Sequence, residues 1–338
     1  MAHVVALGEV LLRLTSPRHE RLSQARQFDI IYGGSECNVA VSLAHFGHRA
    51  AYVSAFPQNE MGQAAINYIR QFGVDTSHSI RQGRRLGLYY LEIGAGVRAS
   101  RVVYDRAGSA ASELRPGVID WAAVFSGREW FHFSGITCAI SESAAATVAE
   151  AAEAAKRAGL TVSCDFNYRA TLWPVEKARA VMGPIMKHVD VGIGSGRDPV
   201  LQGLIGKDGN IPPGQRTPEA YRAFIDAAVK TLGFQKVALT VRDIHTTDRN
   251  TWLGLFYDGA GIAQSRTYEL DIVDRVGGGD GFTAGVIHGI VSGYDAQRTV
   301  DFAAAAGALA HSVHGDFNLV TADEVEAVVR AAGGDVRR

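Results

Sequence analysis

The chain has 338 residues, 34 of them lysine or arginine and 35 aspartate or glutamate, which gives a formal net charge of -1. This length suits one large α/β domain with a sizeable core, and the near-neutral charge argues against a nucleic-acid-binding protein, which usually carries a basic excess. No apolar run approaches the roughly 20 residues that span a bilayer, so we expect neither a nucleic acid nor a membrane as a partner.

The cysteines and the start of the chain indicate a reducing compartment. Cys37, Cys138 and Cys164 are odd in number, far apart and without CxxC spacing, which predicts buried thiols rather than disulfides or a zinc site. The first residues, MAHVVALGEVLLRL, carry neither the basic segment nor the small-residue cleavage site of a signal peptide. We therefore expect a cytoplasmic protein.

Short apolar runs alternate with helical patterns along the chain. The runs predict buried strands at residues 3–8, 50–56, 130–135, 161–166, 189–194 and 236–241. Helical patterns between them occupy residues 38–47, 62–73, 141–159 and 218–233, and each of these ends in glycine, which is common just after a helix. Strands and helices that alternate at this spacing predict an α/β fold whose parallel sheet is covered on both faces. Such sheets bind ligands at the carboxyl ends of their strands.

Two stretches, at about residues 11–32 and 86–106, interrupt this alternation because they are too long and too polar for crossover helices. Within the second, LGLYYLEI and SRVVYD have the pattern of half-exposed antiparallel strands. We predict a small β-sheet lid over the active cleft, inserted into a single domain that spans residues 1–338. Surface decoration or a dimer contact is the alternative, and a lid with exposed edges also predicts a homodimer or a higher oligomer. Residues 203–218 are predicted to form an exposed loop.

The stretch DRVGGGDGF at residues 274–282 places three glycines and a carboxylate before a helical pattern. We expect Gly277, Gly278 and Gly279 at the helix N-terminus, where unpaired N–H groups and the macrodipole favour an anion such as a phosphate. Asp280 suits this place if it accepts a proton from a substrate hydroxyl while the glycine amides hold the transferring phosphoryl group. The alternative is an aspartate that caps the helix after a flexible turn, and the motif alone leaves both interpretations open.

This motif and GGSECNVAVSLAHFG, at residues 33–47, resemble the two signatures of the ribokinase/PfkB family of carbohydrate kinases, and the resemblance covers nearly the whole chain. It implies a ribokinase-like three-layer α/β/α sandwich with a mostly parallel central sheet and a small β-sheet lid. It also implies that Asp280 is the catalytic base and that the three glycines form the anion hole. Gly34 and Asn38 would belong to the sugar site, and MgATP would be the donor.

Within the family the chain most resembles the branch of 2-keto-3-deoxygluconate kinases, through GLYYLE, RVVYDRAGSAAS, DFNYRATLW and HGDF. The substrate contacts that this resemblance implies are Gly34, Tyr89, Tyr104, Arg106, Arg169 and Asp316. The carboxylate of a sugar acid needs a planar cationic fork, which Arg106 or Arg169 can supply. Arg13 replaces an acidic residue that is common in relatives for neutral sugars, and this change suits a negatively charged substrate. Structural salt bridges are the alternative for the arginines, as core or dimer packing is for the tyrosines.

The segments that resemble the nucleotide site depart from the family pattern. In place of the NxxE motif, which helps to place Mg²⁺ and phosphate, the chain has GSGRD, with Ser195 for the asparagine and Asp198 for the glutamate. Asp198 can still hold a metal-bound water, and we expect it to bind Mg²⁺ and to pair with its neighbour Arg197. A segment that usually carries glycines reads LTVRDIHTTDRNTW and introduces Arg242. The predicted ATP contacts are Ser195, Thr240, Arg242, Gly277 and Gly279.

Together these patterns predict an ATP-dependent kinase that phosphorylates the terminal hydroxyl of 2-keto-3-deoxygluconate and yields its 6-phosphate. One alternative is a kinase for a neutral sugar such as fructose or ribose. Another, from a different class, is a non-catalytic sugar or nucleotide sensor on the same fold, which the changed Ser195 and Asp198 positions would suit. Retention of Asp280 and of the three glycines favours the enzyme, because a sensor needs no base.

Overall fold

The strands in the part of the chain that the structure describes form one large sheet and two small ones. A computed structural model describes residues 1–206, 211 and 217–330, so most of the loop predicted at residues 203–218 lies outside the described residues. In chain order the strands are β1 (His3–Leu7), β2 (Leu11–Thr15), β3 (Asp29–Gly33), β4 (Arg49–Val53), β5 (Ala55–Phe56), β6 (Ile80–Arg81), β7 (Gly87–Glu92), β8 (Arg101–Asp105), β9 (Trp130–Ser134), β10 (Thr161–Asp165), β11 (Val191–Ser195), β12 (Lys236–Ile244), β13 (Arg249–Tyr257), β14 (Ile262–Gln264) and β15 (Tyr268–Asp271).

Helices occupy much of the chain between these strands. In chain order they are α1 (Ser35–His45), α2 (Glu60–Arg70), α3 (Trp121–Phe125), α4 (Gly135–Ile140), α5 (Glu142–Arg157), α6 (Val175–Met186), α7 (Pro199–Ile205), α8 (Pro218–Leu232), α9 (Gly278–Val291), α10 (Ala296–Ala310) and α11 (Ala322–Arg330), with a short 3₁₀ helix at Ala111–Glu113. The four helices predicted from the sequence correspond to α1, α2, α5 and α8. The predicted loop begins too early, because its first residues still belong to α7.

The large sheet has the strand order β14–β13–β12–β11–β10–β9–β1–β4, with β15 also paired to β13. Neighbours from β4 to β12 run parallel, whereas β13, β14 and β15 add antiparallel pairs. The six strands predicted from the sequence form this parallel part, although the run at residues 50–56 is divided at Ser54 into β4 and β5. β5 pairs with β6 in a separate sheet. No sequence pattern predicted the antiparallel extension.

Helices cover both faces of the large sheet and create two apolar cores. Successive side chains of a strand point to opposite faces, and in β1 Val5 and Leu7 join one core while Val4 and Ala6 join the other. The first core includes side chains of α3 to α8, and the second includes those of α1, α2 and α9 to α11. This is the predicted three-layer α/β/α sandwich. Each fully buried Val, Leu, Ile or Phe side chain contributes roughly 1.5–3 kcal/mol to folding.

Several helices begin at a polar side chain that satisfies a free backbone N–H group. Asn59 Oδ1 accepts from Gly62 N at 3.0 Å at the start of α2, and Ser141 Oγ accepts from Ala144 N at 3.0 Å at the start of α5. Caps of this kind stabilise a helix by about 1 kcal/mol. Within the part of the chain that the structure describes, no helix is both long enough and apolar enough to cross a bilayer.

The two predicted insertions form a four-stranded sheet of order β3–β2–β7–β8. As expected, β2–β3 and β7–β8 are antiparallel pairs, and a parallel pair of β2 and β7 joins them, with Leu11 opposite Gly87. Leu11, Tyr89 and Leu91 form a small apolar cluster in this sheet. Because β2 follows β1 after a short turn, the small sheet stands beside the edge at which parallel strands end and ligands bind.

Candidate active site

A cavity with a volume of about 480 Å³ lies where strands of the large sheet end and helix α9 begins, and the small sheet contributes part of its wall. Its lining comes from both sequence motifs and from all the strings that carried the resemblance. Every site residue predicted from the sequence lines this cavity: Gly34, Asn38, Tyr89, Tyr104, Arg106, Arg169, Ser195, Asp198, Thr240, Arg242, Gly277, Gly278, Gly279, Asp280 and Asp316.

Asp280 lies in the first turn of α9, and its side chain is held by residues of α1. Ser35 Oγ donates to Asp280 Oδ1 at 2.7 Å, and Asn38 Nδ2 donates to Oδ2 at 2.7 Å. Burial raises the pKa of the Asp280 carboxyl, while these two hydrogen bonds oppose the rise. A carboxylate that is fixed in place and has a raised pKa is a better proton acceptor than an ordinary surface aspartate.

Asn38 also has a role that the sequence did not predict. It lines the cavity, where the sequence places the sugar site, and its amide nitrogen donates to Asp280 while its amide oxygen accepts from Gly34 N at 3.1 Å. Asn38 therefore orients the carboxylate and fixes the turn before α1. Gly34 itself has no room for a side chain, because a Cβ atom there would collide with the backbone oxygen of Glu9.

The glycine turn leaves the N-terminus of α9 open. Gly277 precedes the helix with a φ of 87°, a left-handed conformation that favours glycine, and no side chain of the described residues caps the helix. A Cβ atom at Gly279 would meet nothing within 4 Å, so the backbone at this point faces the cavity. Because the oxygens of Asp280 bond Ser35 and Asn38, Asp280 is not the helix cap of the alternative interpretation. The free N–H groups of the first turn can donate hydrogen bonds to an anion.

Arg106 is paired inside the protein. Its Nε donates to Glu9 Oε2 at 2.8 Å, and its Nη2 also bonds Glu9, whose other oxygen accepts from the Ser109 hydroxyl. Its guanidinium carbon lies 5.5 Å from the centre of the Tyr104 ring. The salt bridge that was the alternative for Arg106 is thus present. Among the described residues Nη1 has no hydrogen-bond partner, which leaves one nitrogen of the fork for a ligand in the cavity.

Asp316 and Tyr89 belong to a buried network that centres on Arg13. Tyr89 Oη donates to both oxygens of Asp316, at 2.8 and 2.7 Å, and Arg13 Nη1 donates to Asp316 Oδ1 at 2.8 Å. Arg13 Nη2 donates to Asp274 Oδ2 at 2.6 Å, and Nε donates to Thr15 Oγ1 at 2.7 Å. Burial alone would lower the pKa of Arg13, but Tyr89, Asp316 and Asp274 raise it above its ordinary value. The network ties the small sheet to the loop before α9.

Of the two arginines predicted to bind a carboxylate, Arg169 is the one without an ion pair among the described residues. It is exposed, and its Nη1 donates to the backbone oxygens of Asn167 at 3.4 Å and Tyr168 at 3.1 Å. Burial raises the pKa values of the Asp165 and Asp280 carboxyls, and the positive charge of Arg169 offsets part of this rise. No carboxylate of the described chain forms an ion pair with it. Arg169 can therefore turn its guanidinium to an anionic substrate.

On the side predicted for the nucleotide, Asp198 acts as a helix cap. Its Oδ1 accepts from Val200 N at 2.9 Å and Leu201 N at 3.1 Å, and its Oδ2 accepts from Tyr168 N at 3.1 Å. These three bonds leave Asp198 little capacity to bind Mg²⁺ directly, and its predicted contact with a metal-bound water stays a prediction. The described residues also contain no group of three or more His, Cys, Asp or Glu side chains that could hold a metal ion.

The neighbours of Asp198 differ from the prediction as well. Arg197 Nη2 bonds Asp243 at 2.6 Å rather than Asp198, because the parallel pairing of β11 with β12 brings Asp243 close. Ser195 Oγ accepts from Arg197 N at 3.2 Å, and Thr240 Oγ1 lies 3.5 Å from the backbone oxygen of Gly194. Ser195 ends β11 and Thr240 lies in the middle of β12, and both line the cavity.

Residues of the site that were missed from the sequence include Glu9, Ser35, Asp165 and Arg275. Glu9 follows β1, Asp165 ends β10, and Ser35 begins α1. The rule that ligands bind at the carboxyl ends of parallel strands would have found the two acids. Burial and the charge of Asp280 raise the pKa of Asp165 to about 8, although Arg169 and a hydrogen bond from Thr283 lower it. At neutral pH this carboxyl keeps its proton, so it can donate a hydrogen bond in the cavity.

The Asp165→Asn variant tests this protonation. In the unfolded chain Asp165 ionises near its ordinary pKa of 3.8, whereas the folded protein keeps the proton up to a pKa of about 8. Between these values unfolding releases a proton, so this group makes the native protein less stable as the pH rises. Urea titrations give the free energy of unfolding of each protein. We expect the value for the variant minus the value for the native protein to increase from about pH 5 to about pH 8. Asp226→Asn, on the exposed face of α8, is the control, and a pH-independent difference for Asp165→Asn would contradict the assignment.

Comparisons with known proteins find similarity over nearly the whole chain. The sequence profile of the pfkB family carbohydrate kinases matches residues 1–196 and 255–322. A 2-dehydro-3-deoxygalactonokinase of Haloferax volcanii is 31% identical over 339 residues, which cover 99% of this chain and 98% of that protein. A 2-dehydro-3-deoxygluconokinase of Thermoproteus tenax is 31% identical over 321 residues, which cover 94% of this chain and 90% of that protein.

A solved structure has a similar fold. The crystal structure of a 2-dehydro-3-deoxygluconokinase from Thermotoga maritima superposes with a TM-score of 0.93 at 40% identity, and the match covers 98% of this chain and 100% of that chain. Both sequence motifs, the three layers and the small sheet are therefore accounted for together, and the chain belongs to the PfkB family of carbohydrate kinases.

Proposed function

We propose that the protein transfers the terminal phosphoryl group of ATP to the terminal hydroxyl of a 2-keto-3-deoxy sugar acid, with 2-keto-3-deoxygluconate as the foremost candidate and its 6-phosphate as product. The observation that carries this proposal is the position of Asp280. Its buried carboxylate, held by Ser35 and Asn38, shares one cavity with the uncapped start of α9 and with two arginines. A base, an anion hole and cations are the parts that phosphorylation of a sugar acid needs.

The chemistry assigned to these parts is simple. The acceptor hydroxyl gives its proton to Asp280 as its oxygen bonds to the phosphorus, and the bond from phosphorus to ADP breaks. The N–H groups at the start of α9 hold the oxygens of the phosphoryl group, where negative charge develops. Arg169 and Nη1 of Arg106 take the carboxylate of the sugar acid and direct its far end to Asp280.

ATP and Mg²⁺ remain the proposed cofactors. Magnesium ions neutralise phosphate charge in kinases and usually keep several of their waters. Because three N–H groups already bond Asp198, Mg²⁺ would enter bound to the nucleotide, and Asp198 could contact one of its waters. The free, buried thiols of Cys37, Cys138 and Cys164 and the use of ATP suit the cytoplasm.

Exposed Val102 and Val103 on the edge strand β8 support the predicted homodimer or higher oligomer through the lid.

The assay that tests the function measures ADP release with both epimers of the acid, 2-keto-3-deoxygluconate and 2-keto-3-deoxygalactonate, and with fructose and ribose. The relatives named for the two acids are each 31% identical to this chain, so the epimers must be compared directly. We expect kcat/KM for an acid to exceed that for either neutral sugar. A preference for fructose or ribose would support the neutral-sugar kinase, and no turnover with any of the four would support the sensor.

A variant of Arg169 separates the acid from neutral sugars. We expect Arg169→Ala to raise KM for the sugar acid by roughly 10–100-fold, because one charge-assisted contact to the carboxylate is lost. Slow turnover of a neutral sugar should be unchanged, and Arg169→Lys should keep part of the affinity. Arg115→Ala, an exposed arginine outside the cavity, is the matched control. Equal losses for acid and neutral sugar would contradict this role. Arg106→Ala is a poorer test, because it also leaves buried Glu9 without its partner.

A further inference from the structure

Positive charge is balanced on one side of the cavity and unbalanced on the other. On the side of β1 and the small sheet, Glu9 pairs with Arg106, and Arg13 pairs with Asp274 and Asp316. The opposite side is formed by β12 and by Arg275 of the loop before α9, and β12 lies four strands away from β1 in the large sheet. The arginines that line this second side are Arg197, Arg242 and Arg275.

Arg242 has no hydrogen bond and no ion pair within the described parts of the chain. Its side chain projects from β12 and is open to solvent through the cavity. The protein around it lowers its pKa, and the charges of Arg275, Arg197 and Arg169 lower it further. Like charges without a counterion disfavour the charged form of Arg242. The arrangement becomes favourable when an anion with several charges enters the cavity.

Arg275 and Arg197 complete this group at its two ends. Arg275 Nε donates to the backbone oxygen of Thr247 at 3.0 Å, and Nη2 donates to that of Thr246 at 3.2 Å. These contacts hold the β12–β13 hairpin against the glycine turn, and no carboxylate of the described chain forms an ion pair with Arg275. Arg197 is partly neutralised by Asp243 at 2.6 Å. The unbalanced charge therefore rests mainly on Arg242 and Arg275.

The carboxylates that line the cavity do not offer a metal ion a site comparable to the one that these arginines offer a phosphate chain. Asp198 already accepts three backbone N–H groups, and Asp280 accepts from Ser35 and Asn38. Asp165 accepts from Asn167 N at 3.1 Å and Thr283 Oγ1 at 3.2 Å. Guanidinium groups, in contrast, bind phosphate oxygens in a fork geometry and keep their charge at every physiological pH.

We infer that Arg242 and Arg275, with Arg197 at the rim, neutralise the polyphosphate chain of the donor in place of a metal ion bound to a carboxylate of this protein. The inference deepens the proposed function, on which it rests for the choice of ATP as donor. Any Mg²⁺ then enters on the nucleotide and makes no bond to a protein carboxylate. Binding of a polyphosphate is accordingly independent of the metal and dependent on Arg242.

Calorimetric titration of the whole protein tests this with two probes, ATP and inorganic tripolyphosphate, each in EDTA and in excess Mg²⁺. We expect the Kd of the native protein for ATP to change by less than about threefold between the two conditions. Arg242→Ala should weaken tripolyphosphate binding in EDTA by at least about tenfold. The melting temperature of Arg242→Ala without ligand should not fall, because the substitution removes repulsion and no protein contact.

Arg249→Ala is the matched control. Arg249 lies on the same hairpin, but it is exposed outside the cavity and bonds Asp271 at 3.0 Å, so its loss should leave tripolyphosphate binding unchanged. Tight binding only in Mg²⁺, or equal affinity of native protein and Arg242→Ala, overturns the inference. The proposed function is judged apart from this. If polyphosphate binding depends on Arg242 but the sugar acid is not turned over, only the proposed function is wrong. If turnover is normal but binding depends on Mg²⁺ and not on Arg242, only the inference is wrong.

Discussion

Replacing Asp280 by asparagine is expected to lower kcat by roughly 10²–10⁴-fold while the affinities for ATP and for the sugar acid stay within a few-fold. The asparagine has nearly the same shape but cannot accept a proton from the substrate hydroxyl. It keeps an oxygen for Ser35, which donates to Asp280 at 2.7 Å in the native protein. Rapid-quench measurement of the phosphoryl-transfer step, together with calorimetric binding of both substrates, separates chemistry from binding.

The control for this variant is Asp295→Asn. Asp295 caps α10 by accepting from Arg298 N at 2.8 Å, outside the cavity, and asparagine is an equally good helix cap. Because the pKa of Asp280 is raised by burial, the native enzyme should lose activity on acidification at a higher pH than an ordinary aspartate would cause. The base must be ionised to act, so kcat falls as the pH falls through that raised pKa. Near-native kcat in Asp280→Asn would remove Asp280 from the mechanism.

The second large effect is expected at Arg13. Arg13→Met should lower the free energy of unfolding by about 3–5 kcal/mol, because it leaves two buried carboxyls, Asp274 and Asp316, without their cation. Arg13 is wholly buried and bonds them at 2.6 and 2.8 Å. Urea denaturation at neutral pH measures the loss. Activity should fall as well, since Asp274 lies in the loop that leads to Gly277 and the start of α9.

Two further variants distinguish this explanation from general disruption. Arg13→Met combined with Asp274→Asn and Asp316→Asn should recover much of the stability, because removal of all three charges leaves none unpaired. Arg85→Met removes an exposed ion pair, with Asp105 at 2.9 Å, and should leave the urea midpoint nearly unchanged. A loss for Arg13→Met no greater than that for Arg85→Met would show that the buried network does not hold the small sheet in place.

The parallel part of the sheet was predictable because buried parallel strands are continuous apolar runs. β13, at Arg249–Tyr257, mixes polar and apolar residues, and its antiparallel pairing with β12 depends on a turn whose residues have no strong hairpin pattern. The two insertions were recognisable because they are too long and too polar for crossover helices. The parallel pair that joins β2 to β7 was not, since it links segments more than 70 positions apart.

In the site, local motifs were informative and distant pairings were not. The glycines and Asp280 lie within a few residues of one another, so their chemistry can be inferred from one string. The bond of Asn38 to Asp280 joins positions 242 apart, and that of Arg13 to Asp316 joins positions 303 apart. No spacing rule indicates such pairs. Arg197 illustrates the converse, because its nearest acid in the sequence is Asp198 but its partner in the structure is Asp243.

The central claim is that this cavity phosphorylates a sugar acid at its terminal hydroxyl, and the identity of the product tests it most directly. The native protein is incubated with ATP and 2-keto-3-deoxygluconate, and the product is examined by phosphorus NMR and mass spectrometry. The prediction is one phosphate monoester on the primary carbon, C6, formed in equal amount with ADP. A phosphate at another position, or ADP formed without a phosphorylated sugar acid, would contradict the roles assigned to Asp280, Arg169 and the glycine turn.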